Sequence, residues 1–183
     1  ALGINFEDTA QRAFNELVER DRILRSWQGE FTPTQLIGND LPELQEHYDI
    51  EVFQFGSEPH VIGYFGFPMN PMKPFIYGFG ANDDLKTSKS KARGEFLQRL
   101  GFLWEEEMEE IPSFEPTAMY HQEYYLRTDK GGPIYRWLHG DQKKLFSKKL
   151  VPEKVLLADL TPQHLKGKLH VLKALHDDSI PLI

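Results

Sequence analysis

Two stretches of this chain carry apolar residues at the three- and four-residue spacing of an amphipathic helix. They run over residues 7–27 and 87–108. The two stretches align with each other at an offset of 79 residues, which places Glu16 over Glu95. Similarity at a fixed offset is typical of a duplicated unit. The pattern therefore predicts two related long helices.

Shorter segments with strand-like alternation or continuous apolar character lie outside these helices. They cover residues 51–55, 60–67, 75–79, 155–159 and 168–175. We interpret Gly78 and Gly80 as a turn that leads from a strand into the second helix. Strands mixed with two long helices predict an α+β fold, with the helices packed on antiparallel or mixed sheets. Because 183 residues with 40% hydrophobic content suit one core, we expect a single domain over residues 1–183.

Composition excludes several classes of function. The absence of Cys rules out disulfides, thiolate zinc sites, iron–sulfur clusters and cysteine nucleophiles. A formal net charge of −7 argues against a nucleic-acid partner. No apolar run is long enough for a membrane helix and no secretory signal opens the chain, so we expect a cytoplasmic protein without a membrane partner.

Each predicted helix carries two oxygen-bearing side chains three residues apart, on one face. These are Glu16 and Glu19 in the first helix, and Glu95 and Gln98 in the second. A carboxylate beside a buried apolar stripe is costly unless a cation or a hydrogen-bond donor compensates it. Facing pairs would offer hard oxygen ligands, which suit Mg²⁺ bound together with substrate phosphates.

Two other interpretations of these residues remain open. The acids can be ordinary helix-surface groups, with Glu16 paired to Arg12 or Arg20. They can also form a carboxylate-bridged dimetal site, although the Glu-x-x-His pair usual in such sites is absent. The chain has no H-E-x-x-H, G-x-S-x-G or P-loop motif, which argues against a zinc protease, a serine hydrolase or a P-loop enzyme.

Motifs in order along most of the chain resemble the YcaO domain family. The run from Glu16 to Asp21 resembles the E-x-x-E-R-D of its first nucleotide-site helix, with Trp27 at the helix end, and Glu95 to Gln98 resembles the E-x-x-[EQ] of its second. Further similarities lie at His121–Tyr125, Trp137–Leu138, Asp159–Thr161 and Leu169–Lys173, continuing to Ile180–Leu182.

The resemblance implies an ATP- and Mg²⁺-binding fold that phosphorylates a peptide amide oxygen, so that an azoline or a thioamide can form. It implies that Glu16, Glu19, Glu95 and Gln98 hold the Mg²⁺ ions that bridge the ATP phosphates. It also implies that Arg20 faces a phosphate or a carboxylate, that the partner is a peptide or protein, and that a homodimer forms.

The chain departs from the family pattern in three places. Ala13 stands where a Ser is common, and Lys86 and Thr87 stand where an acidic ligand is expected. The Gly-rich segment that precedes the first helix in the family has no counterpart, so we expect that the N-terminal part of the family domain is missing. The alternative function is therefore a non-catalytic, degenerate YcaO-like module that binds a peptide or protein through its sheet edges or through residues 120–125.

Overall fold

The computed structural model describes residues 1–38, 41–107, 131–140 and 154–179. The strands in these ranges are β1 (Leu2–Gly3), β2 (Thr34–Leu36), β3 (Tyr48–Ser57), β4 (His60–Pro68), β5 (Ile76–Asn82), β6 (Leu156–Asp159) and β7 (His170–Leu175). The helices are α1 (Phe6–Trp27), α2 (Leu85–Leu103) and α3 (Gly131–His139), with short 3₁₀ turns at Pro42–Leu44 and Gln163–Leu165.

Two antiparallel sheets pack against the helices. One sheet has the strand order β2-β3-β4-β5 and the other has the order β1-β7-β6. α1 lies between the sheets: Val18 packs in an aromatic core with the larger sheet, and Ala13 packs against β7. α3 joins the same aromatic core through Ile134 and Leu138. α2 covers the opposite face of the larger sheet. The predicted α+β class is confirmed.

The two long helices begin in the same way. The side chain of Asn5 caps α1 by accepting a hydrogen bond from a first-turn amide, and Asp84 caps α2 likewise. Thr9 and Ser88 each donate their hydroxyl to the carbonyl oxygen of that cap residue. These four residues keep the offset of 79. The sequence repeat is therefore matched by the same hydrogen bonds at the start of both helices.

α2 packs directly on the backbone of β5 because Gly78 and Gly80 face it. A Cβ atom added at Gly78 would lie 2.5 Å from the carbonyl oxygen of Ala92, and one at Gly80 would lie 2.6 Å from the Ala92 nitrogen. Real Cβ atoms do not approach backbone that closely. The interpretation of Gly78–Gly80 as a strand-to-helix turn is therefore wrong: both glycines lie inside β5.

Other local predictions differ from the structure at their ends. The second helix stops at Leu103 and not at Met108. β2, a short edge strand, was not predicted. The Gly-Gly-Pro sequence at residues 131–133 is a typical turn signal, but in the structure it begins α3.

We predict that Gly78→Ala lowers the free energy of unfolding by about 1–3 kcal/mol or more, because the new methyl group would push α2 off β5. Chemical denaturation of both proteins measures the difference. Gly94→Ala is the matched control, since a Cβ at this helical position meets no atom of the described residues within 4 Å. That variant should be more stable by about 0.5–1 kcal/mol. Equal stability of wild type and Gly78→Ala would contradict the packing argument.

Candidate functional site

The outer edge of β5 is covered by a row of side chains from α2, here called the edge row: Lys91, Glu95 and Arg99. They are spaced four residues apart, so they lie along one face of the helix. Lys91 Nζ donates a hydrogen bond to the Ala81 carbonyl oxygen at 3.2 Å. Glu95 Oε2 accepts one from the Phe79 amide at 3.1 Å. The Arg99 guanidinium lies over the Tyr77 ring, 4.0 Å from its centroid. The sheet edge thus fixes Glu95 in place.

α1 brings a further carboxylate, that of Glu19, within electrostatic reach of Glu95 at this edge. Glu19 is partly buried, and burial raises its pKa from 4.5 to about 7. The negative charges of Glu95 and Glu16 raise the pKa in the same direction, whereas Arg20 and Lys91 oppose the shift. The structure therefore brings Glu16 and Glu95 each close enough to Glu19 to disfavour its ionised form.

Glu16 has partners of its own at the surface of α1. Its carboxylate lies 2.6 Å from Arg20 Nη2 and 3.5 Å from the amino group of Ala1. Arg20 thus pairs with Glu16, which is the helix-surface ion pair of the simpler interpretation. An exposed pair of this kind contributes little stability, so the Glu16 carboxylate is free to exchange partners at low cost.

Gln98 stands apart from the three carboxylates. It is exposed on α2, and within the described residues its amide makes no hydrogen bond. No three His, Asp or Glu side chains in the described part of the chain are arranged to hold a metal ion by themselves. The donor set nevertheless fits Mg²⁺, which prefers oxygen ligands and commonly needs only one or two carboxylates plus phosphate oxygens.

Sequence analysis did not single out two polar residues near these carboxylates. Arg99 pairs with Glu95 at 3.4 Å, but its Nε and Nη1 atoms are buried without a hydrogen-bond partner in the part of the chain that the structure describes. Asn15 is buried on α1, and no described residue offers a hydrogen-bond partner to its Nδ2 atom. The sequence repeat could have identified Arg99, because Arg99 occupies the position equivalent to Arg20. No sequence pattern indicated a role for Asn15.

The Asp159–Thr161 motif has a structural role. The Asp159 carboxylate accepts a hydrogen bond from the Thr161 amide, and the Thr161 hydroxyl accepts one from the Val171 amide. The motif therefore ties the end of β6 to β7. The surface predicted over residues 120–125 and the segment 180–182 lie outside the described residues.

Comparison with known proteins identifies the fold. No family model and no curated protein matches this chain. The heterocyclase TruD matches 95% of it with a TM-score of 0.57 and 18% identity. YcaO from Methanopyrus kandleri, in a structure bound with AMPPCP and Mg²⁺, matches 87% with a TM-score of 0.51 and 17% identity. The chain has a YcaO-like fold.

The likeness covers only part of each solved structure. The chain spans 28% of the TruD chain and 49% of the Methanopyrus kandleri YcaO chain. At this identity the likeness establishes the YcaO-like fold and leaves activity open. In the described part of the chain, no helix is long and apolar enough to cross a membrane.

The raised pKa of Glu19 predicts a pH-dependent stability difference. The Glu19 carboxyl group has a pKa of 4.5 in the unfolded chain and about 7 in the folded chain. Below pH 4.5 it is protonated in both states and does not change the free energy of unfolding. As the pH rises towards 7, it lowers the free energy of unfolding progressively. Glu19→Gln removes this cost. We expect the variant to be more stable than wild type by about 1–3 kcal/mol at pH 8, and the two proteins to differ little at pH 4. Urea denaturation across this range measures the difference.

Glu43→Gln is the control, because Glu43 is an exposed acid on the first 3₁₀ turn. It should show no comparable gain at pH 8. A Glu19→Gln stability curve parallel to that of wild type from pH 4 to 8 would contradict the assigned environment of Glu19.

Proposed function

We propose that this chain binds ATP and Mg²⁺ beside the outer edge of β5, as part of a protein that activates a peptide backbone amide. Glu16, Glu19, Glu95 and Gln98 would hold the metal ion, which supplies charge neutralisation for phosphoryl transfer when bound. The observation that carries the proposal is the environment of Glu19, in which burial first, and then the negative charges of Glu95 and Glu16, raise its pKa to about 7. The YcaO-like fold supports it.

The ionised form of Glu19 lacks enough compensation from the neighbouring cationic side chains. Arg20 and Lys91 lower the pKa of Glu19, but burial and the two other carboxylates outweigh them. Lys91 is also engaged by the Ala81 carbonyl oxygen. A divalent ion beside these carboxylates would favour their ionised forms, because an opposite charge at close range lowers a carboxyl pKa.

Hydrogen-bond donors that could bind an anion lie beside these carboxylates. Among the described residues, the buried Nε and Nη1 atoms of Arg99 have no hydrogen-bond partner, and the Arg20 guanidinium is paired with the carboxylate of Glu16. Guanidinium groups recognise phosphate oxygens through paired hydrogen bonds. The set of side chains thus combines acids for a metal ion with arginines for phosphate.

Isothermal titration of the 183-residue chain with ATP, with and without Mg²⁺, tests the proposal. We expect saturable binding only with Mg²⁺. At pH 7 about half of the Glu19 side chains carry a proton, so Mg²⁺–ATP binding should release protons. Repeating the titration in buffers of different ionisation enthalpy measures that release.

Three variants assign the binding to the proposed residues. The double variant Glu16→Gln with Glu95→Gln should bind Mg²⁺–ATP at least tenfold more weakly. Glu19→Gln should abolish the proton release, whereas Glu43→Gln should change neither quantity. Unchanged affinity in the double variant would refute this assignment, and absence of any nucleotide binding would favour the non-catalytic binding module.

The remaining parts of the proposal concern the whole protein. They are a peptide substrate, an azoline or thioamide product, a homodimeric assembly, a cytoplasmic location and the lack of a nucleic-acid partner. Gln98 is a ligand in this proposal only if its exposed side chain turns towards Glu95, three residues earlier on α2.

A further inference from the structure

A row of polar side chains runs along α1 and ends at Glu19. Gln11 Nε2 donates a hydrogen bond to Asn15 Oδ1 at 3.1 Å and a longer one to Asp83 Oδ2 at 3.5 Å. Gln11, Asn15 and Glu19 are four residues apart, so they lie one above the other on one face of the helix. The first two are joined by a hydrogen bond. Among the described residues, no such bond joins Asn15 to Glu19.

The orientation of the Asn15 amide follows from its partners. An ionised carboxylate only accepts hydrogen bonds, so the contact with Asp83 requires that Gln11 present its Nε2 group. That group also donates to Asn15, and the atom that accepts this bond must be Oδ1. Nδ2 is therefore the end of the Asn15 side chain that is left to meet another residue.

The Nδ2 atom is a donor in an enclosed place. Asn15 is only 3% exposed, and none of the described residues accepts a hydrogen bond from Nδ2. A buried donor without a partner lowers stability, and such groups are rare in folded proteins. If packing were the only role of this position, an apolar side chain of the same size would suit it better.

Glu19 has the complementary need. Burial and the charges of Glu95 and Glu16 raise its pKa, and no hydrogen bond is among the causes of the shift. Within the described residues its carboxylate accepts no hydrogen bond. A donor to a carboxylate favours the ionised form, which is the form that binds a metal ion. A buried donor without an acceptor thus lies one helical turn from a buried carboxyl group without a donor.

We propose that Asn15 is the positioning residue for Glu19: its Nδ2 group donates to one carboxylate oxygen and leaves the other oxygen for the metal ion. Only the Glu19 side chain has to rotate, because residues four apart on a helix are neighbours. Gln11 and Asp83 act one step further out, by fixing the Asn15 amide. Loss of an outer partner of this kind commonly lowers metal affinity by roughly ten- to a hundredfold.

This role rests on the proposed function, because it needs a metal ion at Glu19. The contact between the two side chains does not depend on it, and can be measured without ATP or Mg²⁺. A measurement on the ligand-free chain therefore separates a failure of this inference from a failure of the proposed nucleotide site.

Asn15→Leu tests the role in binding, since it keeps a similar side-chain size without the donor. We expect isothermal titration to show Mg²⁺–ATP binding at least about tenfold weaker than that of the wild-type chain. A merely structural Asn15 would leave this affinity unchanged, and that result would overturn the proposal.

Gln11→Met tests the same row of side chains without touching a buried position, because Gln11 is exposed. It removes the group that fixes the Asn15 amide, and it should weaken Mg²⁺–ATP binding about two- to tenfold, the effect of one hydrogen bond. The matched control is Gln35→Met on β2, at the opposite edge of the larger sheet from β5, which should leave the affinity unchanged. Equal affinities of the two variants would overturn the role assigned to Gln11.

The side-chain amide signals of Asn15 report the contact directly. In the ¹⁵N-labelled 183-residue chain, saturation with Mg²⁺–ATP should move one of the two Nδ2 proton signals downfield and slow its exchange with solvent, because that proton then donates to a carboxylate. The signals of Asn70, an exposed loop residue, should not move. Unmoved Asn15 signals at saturation would contradict the proposed contact.

A double-mutant cycle of Asn15→Leu and Glu19→Leu measures the contact without ligand. In urea denaturation at pH 8 we expect the two effects to be non-additive by about threefold or more in the unfolding equilibrium constant, whereas Asn15→Leu and Glu43→Gln should be additive. Additive effects in the first pair, with Mg²⁺–ATP binding by the wild-type chain intact, would overturn this inference alone. Absence of Mg²⁺–ATP binding by the wild-type chain would overturn the nucleotide site and the positioning role with it.

Discussion

The close approach of α2 to the backbone of β5 is the constraint on which the rest of the structure depends. Gly78 and Gly80 leave no side chain between strand and helix, so the helix backbone lies against the sheet. Only at that distance can side chains from successive turns of α2 reach the hydrogen-bonding groups of an edge strand. The position of Glu95 thus follows from two residues that carry no side chain.

α1 contributes Glu19 from the other face of the larger sheet. It is buried on two sides, by the aromatic core and by β7, which orients its remaining polar face. The consequence is that Glu19 meets Glu95 from across the edge of β5 in a partly dehydrated place. Burial and like charges together make the ionised form of Glu19 costly, and such environments are common where proteins bind ions or perform chemistry.

The helices could be predicted from sequence because their apolar spacing is long and regular, and the α+β class followed from them. The two glycines of β5 were misinterpreted, since a glycine pair is a turn signal locally and only the contact with α2 explains it. Gln98 was grouped with Glu95 by its three-residue spacing. In the folded chain the α2 side chains that contact β5 are four residues apart, namely Lys91, Glu95 and Arg99. Gln98 is not among them, and it faces solvent.

The edge row also protects the chain against unwanted association. A bare edge strand offers its amide and carbonyl groups to any other polypeptide, and it can seed aggregation. Here the Phe79 amide is occupied by Glu95 and the Ala81 carbonyl by Lys91, so these two outward-facing groups of β5 are not available for intermolecular pairing. Growth of the larger sheet into a fibril is thereby blocked at one of its borders by two charged side chains.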